Sequence, residues 1–184
     1  TRKRRLSDEL SDLCEETYGN TPRITSEALN KHNLTGTAFS SRTKILKALC
    51  ARVLVPNLGF VGNGQETSMA RSALEKTGII KDLAENIEEP GVHARGVDDV
   101  LDAIKDFIES ADGTPFDELY STLTGRGHGI GLREGPIPLY LAYVLRGYRD
   151  EIKIEHNGEE RPFDEVTLDD ISKEPSAYTP TWLN

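Results

Sequence analysis

Residues 136–163 read PIPLYLAYVLRGYRDEIKIEHNGEERPF, and the change of pattern inside this stretch decides the fold. Its first part is apolar at nearly every position, through Ile137, Leu139, Tyr140, Leu141, Tyr143, Val144 and Leu145. Pro136 suits the opening of a helix, where its fixed φ is already helical and its missing N–H is not needed. A helix with no polar face belongs inside a bundle, so this segment is expected to be the most buried helix of the chain. The period then changes from helical to alternating. Ile152 and Ile154 are separated by charged residues, and Asn157-Gly158 supplies the two positive φ angles of a type I′ turn, which predicts a hairpin returning toward Phe163.

On the N-terminal side of this stretch, Val97, Val100, Leu101, Ile104, Phe107 and Ile108 make one helical stripe that Gly113 ends. Thr114 is placed to cap the next helix, with Pro115 at its first position and Leu119, Tyr120 and Leu123 on one face. A glycine-rich loop over residues 125–135 follows and reads as a flexible connection. Three helices followed by a two-stranded hairpin is the order of a winged helix, with the hairpin as the wing. Beyond it, Thr167 and Asp170 stand at capping-box spacing and predict a last short helix over residues 167–171.

The first half is helical throughout. Leu6, Leu10, Leu13, Cys14 and Tyr18 recur at three- and four-residue spacing, an amphipathic helix stopped by Gly19 and Asn20. Thr25 or Ser26 caps a short helix that turns Leu29 inward and ends near Asn33. Phe39, Ile45, Leu46, Leu49 and Val53 mark a helix over residues 37–53, terminated by Pro56. A loop over residues 57–64 leads into a helix through Met69, Ala70, Ala73 and Leu74 that reaches Gly78. Residues 81–96 are polar and irregular, with Pro90, Gly91 and Gly96, and the domain boundary is placed there. The expected fold is mainly α: a helical subdomain over residues 1–90 and a winged-helix-like subdomain over residues 91–184 with one β-hairpin.

Composition narrows the function classes. With 36% apolar and 29% charged residues, the periodic apolar positions still suffice for a core. The net charge of -9 opposes sequence-independent binding of nucleic acid unless a local basic patch overrides it. An excess of arginine over lysine in an acidic chain fits a salt-adapted protein equally well, and net charge then says less about partners. Cys14 and Cys50 both fall in apolar helical patterns and read as small core residues in a reducing, cytoplasmic compartment rather than as a disulfide. No apolar run approaches the roughly 20 residues that cross a bilayer. The start at Thr1, in the basic run Arg2, Lys3, Arg4 and Arg5, suggests a piece of a longer chain.

No motif reads as a complete catalytic site, so the chain is expected not to be an enzyme and to hold no cofactor. His32, His93, His128 and His156 fall in four separate expected loops, without metal-ligand spacing, and read as surface residues. Gly59 and Gly64 have P-loop spacing, but Gln65 and Glu66 stand where Lys and Ser/Thr are required. The adjacent acids Glu15-Glu16, Glu88-Glu89 and Glu159-Glu160 read as solvated surface. The run Gly125-Arg126-Gly127-His128-Gly129-Ile130-Gly131-Leu132-Arg133 lets backbone amides approach an anion. It resembles the second glycine box of histidine-kinase-type ATPases, although the intervening Asp-x-Gly-x-Gly of those enzymes is missing. The expected nucleic-acid or anion contacts are Arg126, His128, Arg133, Arg146 and Arg149 around the third helix of the winged unit, with Lys153 and Arg161 in its wing. Against direct DNA reading, that helix is apolar nearly all round.

Two stretches together resemble a family. Leu13-Cys14-Glu15-Glu16-Thr17-Tyr18-Gly19-Asn20-Thr21-Pro22, followed by Ser26-Glu27-Ala28-Leu29-Asn30, is similar to a segment found after the ATPase core of large phage-defence P-loop proteins, those of bacteriophage-exclusion and phage-growth-limitation systems. Gly129-Ile130-Gly131-Leu132-Arg133-Glu134-Gly135-Pro136-Ile137-Pro138-Leu139 resembles a Gly-Leu-Arg-x-Gly-Pro-Ile-Pro signature in the same region, and Lys173-Glu174-Pro175-Ser176 resembles its ending. The middle of the chain carries no match. The resemblance implies an accessory domain of a larger ATPase that docks DNA or other defence-system proteins, and it carries over no catalytic residue. The competing expectations are a dimeric winged-helix transcription regulator and a nucleotide-binding enzyme using the loop over residues 125–135.

Overall fold

The computed structural model describes residues 2–125, 127 and 129–183. In chain order the helices are α1 (Arg2–Thr17), α2 (Glu27–Asn30), α3 (Gly36–Cys50), α4 (Gln65–Ala70), continued by a π turn over Arg71–Glu75, α5 (Val97–Ser110), α6 (Phe116–Thr124) and α7 (Ile137–Leu145). The strands β1 (Ile152–His156) and β2 (Glu159–Arg161) precede α8 (Glu165–Lys173), and β3 (Tyr178–Trp182) closes the described chain. The protein is mainly helical with a small antiparallel sheet at its C-terminal end.

Helix α7 is enclosed as its composition demands: Ile137, Leu139, Leu141 and Ala142 have no exposed surface and Tyr140 almost none. It packs between α3, which buries Ile45, Leu46 and Leu49 completely, and α5, which buries Ile104 and Ile108. One hydrophobic core therefore takes side chains from both sides of residue 90, from Leu46 and Leu74 to Leu139 and Leu168. The connection over residues 81–96 is irregular, as expected, yet it is held down. Leu83 and Ile87 are buried, the Tyr143 hydroxyl donates to the Ile79 carbonyl at 3.3 Å, and the Leu54 amide donates to Glu88 at 3.1 Å.

The Asn-Gly hairpin forms where the turn chemistry puts it. Asn157 and Gly158 have φ of 53° and 80°, the pair of positive angles that a type I′ turn requires, and Ile154 faces Arg161 while His156 faces Glu159. One hairpin was expected; the sheet has three strands, because β3 pairs antiparallel with the other edge of β1 in the order β2-β1-β3. A proline inside a strand costs a ladder hydrogen bond and is tolerated at an edge. Pro180, opposite Ile154, sits in such an edge strand.

Other expectations change in detail. Helix α1 forms, but it turns its leucines to solvent: Leu6, Leu10 and Leu13 are 58%, 54% and 59% exposed, and the helix buries no residue. Cys14 is accordingly exposed rather than a core residue, whereas Cys50 is buried. Helix α3 ends at Cys50, ahead of Pro56, and leaves Val53 outside it and exposed. Pro115 is the residue before α6 rather than its first. The cap of α8 is Asp164, whose carboxylate accepts the Thr167 amide at 2.9 Å, so Thr167 lies buried inside the helix. Ser26 caps α2 as expected, and Leu29 is fully buried.

Candidate functional site

A cleft of about 790 Å³ lies where the end of α1 and the turn after it meet the segment that precedes α7. Cys14, Glu15, Tyr18 and Thr21 form one wall, Gly131, Leu132 and Arg133 the opposite one, and Arg23 and Arg95 complete the rim. Residues from 13–22 and from 129–139, more than 100 residues apart in sequence, thus converge on one cleft. The convergence is close. The Thr21 hydroxyl donates to the Ile130 carbonyl. Gly131, with a φ of 56°, lies so near the Tyr18 ring that a Cβ there would overlap it. Gly96, ahead of α5, comes as close to the Asn20 carbonyl, which brings Arg95 alongside Gly19.

The cleft has a cationic balance. Among the described residues, Arg23, Arg95 and Arg133 line it with Glu15 as the one carboxylate, and the 3.3 Å pair between Arg23 and Glu15 is exposed on both sides. Such surface pairs contribute little and exchange readily. Guanidinium groups hold their charge at any ordinary pH and offer paired donors to a carboxylate or phosphate. What the arrangement can do chemically is bind an anionic group.

The expected contact residues fare unequally. Arg133 lies in the cleft and is exposed, while Arg126 and His128 lie outside the described residues. Arg149 is turned into the molecule: it donates to the Cys50 carbonyl at 2.7 Å and lies over the Phe163 ring. Arg146 donates to the Ala51 and Arg52 carbonyls and pairs with Glu88 at 3.5 Å. Lys153 pairs with Glu155 at 3.0 Å, and Arg161 with Glu159 at 3.4 Å. Four of the seven residues therefore make contacts within the chain, and three of them, Arg149, Lys153 and Arg161, line one small pocket together with Glu160. His156 is the last residue of β1, not a loop residue, and stacks on Tyr178 at 4.5 Å. His93 contacts Asp98 at 2.6 Å. Among the described residues no group of three His, Cys, Asp or Glu side chains is arranged to hold a metal ion, and no helix is long and apolar enough to cross a membrane.

The glycine-rich loop is not the free connection that its composition predicts. Ile130 and Leu132 are buried, and the Leu132 amide donates to the Leu123 carbonyl at 2.8 Å. Its far end is tied by Arg42, a buried cation that no sequence pattern singles out. Arg42 donates to the Gly135 carbonyl at 3.2 Å and to Asp169 and Ser172 at 3.1 Å each. Asp169 also accepts from Thr43. This cluster locks α3, the loop and α8 together and holds one wall of the cleft in place. Arg23 and Arg95 also escape sequence reading, since neither belongs to a periodic pattern, and Glu15 reads there only as solvated surface.

No protein-family model matches the chain, and no curated protein and no solved structure matches it.

Proposed function

We propose that the chain is a non-enzymatic accessory domain of a larger phage-defence ATPase, and that its arginine cleft docks an acidic segment of a partner protein. The observation that carries this reading is the convergence of the two family-like stretches on a cleft rimmed by Arg23, Arg95 and Arg133. A volume of about 790 Å³ suits a few side chains of an extended peptide. A DNA duplex is far broader, and the net charge of -9 opposes its approach. The order α5, α6, α7 and hairpin is that of a winged helix, but α7, which would have to enter a DNA groove, is buried on nearly every side. The regulator reading is weaker for that reason. The nucleotide-enzyme reading is weakened by the loop, whose Leu132 amide is already engaged.

Calorimetric titration at low salt with a decaglutamate peptide, and separately with a 20-base-pair duplex, tests the proposal. The peptide is expected to bind, and Arg95→Ala combined with Arg133→Ala to weaken it at least tenfold. Binding of the duplex alone would assign the cleft to nucleic acid instead, and binding of neither would remove it as a docking site.

A further inference from the structure

A second surface stands apart from the cleft. Helix α1 presents Leu6, Leu10 and Leu13 on one face, each more than half exposed, and no element of the described chain covers them. A helix of this length is marginal in water without tertiary packing. Its charges make matters worse: the first turn holds Arg2, Lys3, Arg4 and Arg5 and no acid, and the last turn holds Glu15 and Glu16 and no base. The acidic last turn therefore opposes the helix dipole, which favours bases at the C-terminus.

We infer that α1 pairs antiparallel with α1 of a second copy of this chain. Lys3, Leu6, Leu10, Leu13 and Thr17 repeat at alternating three- and four-residue spacing, the seam of a two-helix coil. Arg2, Glu9 and Glu16 stand seven residues apart along one flank of that seam. In an antiparallel pair each copy's Arg2 lies beside its partner's Glu16, so the basic segment of one helix meets the acidic segment of the other. A parallel pair would set like charges together at both ends. Glu9, which meets its own copy at the centre, is already paired with Arg5 at 3.4 Å. The helix is only about 24 Å long, so the interface is small and the dimer weak and concentration-dependent. Of the α1 residues that line the cleft, Glu15 lies well away from this seam, while Cys14 borders it on the flank opposite Glu9 and Glu16.

Sedimentation equilibrium over a concentration series tests the inference. The mass is expected to rise from 20.4 kDa toward twice that value. Leu10→Glu is expected to abolish the rise, and Arg2→Glu or Glu16→Arg alone to weaken association severalfold at low salt, while the two together in one chain restore it. Circular dichroism of the variants confirms that the remaining fold is intact, since α1 buries nothing. A monomer at every concentration, or a dimer indifferent to Leu10→Glu, overturns the inference. Failure of the double variant to recover overturns the antiparallel arrangement. None of these outcomes depends on whether the cleft binds peptide.

Discussion

Burial of single ionisable groups ties the stability of this protein to pH. The Cys50 thiol is pushed up from 9.0 to about 12, mainly by burial and then by Glu165 and Asp164 nearby. The Tyr120 and Tyr140 hydroxyls are pushed up from 10.0, also chiefly by burial. Each group keeps its proton in the folded chain after the unfolded chain has released it, so the stability it contributes is whole below its unfolded pKa and is lost as pH rises toward the folded one. From Cys50 alone, about 2 kcal/mol is expected to be lost between pH 8 and pH 10.5, with the tyrosines adding to the loss above pH 10. Urea unfolding at the two pH values checks this, and Cys50→Ala should flatten the part of the decline below pH 10. The buried Arg42 makes a second demand at this scale. With side chains only 4% and 6% exposed, Arg42 and Asp169 form a pair that either one needs. Asp169→Ala leaves the buried guanidinium without its counter-charge, held only by the Gly135 carbonyl and the Ser172 hydroxyl, and is expected to cost about 3 to 5 kcal/mol, read as a lowered denaturation midpoint.

At the scale of elements, legibility followed local chemistry. The Asn157-Gly158 turn and the apolar helix after Pro136 could be read because backbone conformation and burial are dictated there by neighbouring residues. The third strand could not: Tyr178-Thr179-Pro180-Thr181-Trp182 contains a proline, and only the free edge of β1 makes a strand of it. The α8 cap was misplaced for a related reason, since Asp164 and Thr167 each satisfy a local capping rule and only burial of Thr167 decides between them. Helix α1 shows the reverse case. Its apolar spacing is read correctly as amphipathic, but periodicity does not say whether the core of the same chain or another surface receives the stripe. Because α1 contributes nothing to the core, a chain that begins at Tyr18 is expected to unfold at the same urea concentration as the full chain, within about 0.5 kcal/mol of its stability. A larger loss would mean that α1 is part of the fold's own packing.

For the whole molecule, the core is continuous from α3 through α7 to α8, and this continuity creates the cleft. Closing the core draws the turn after α1 against the loop before α7, and Gly96 and Gly131 allow backbone and ring to approach where a side chain would not fit. The sequence offered the two walls as separate stretches, and Arg133 as a candidate contact. The rim residues Arg23 and Arg95 come from segments with no pattern of their own, and only the tertiary fold brings them together. Arg146, Arg149, Lys153 and Arg161, the other described basic residues expected as nucleic-acid or anion contacts, also make contacts within the chain. The most direct test of the docking role is the map of backbone amide shifts in nuclear magnetic resonance as decaglutamate is added. The largest changes are expected at Tyr18, Thr21, Arg95, Gly131 and Leu132; changes confined to the hairpin over residues 152–161, with the cleft unmoved, would contradict it.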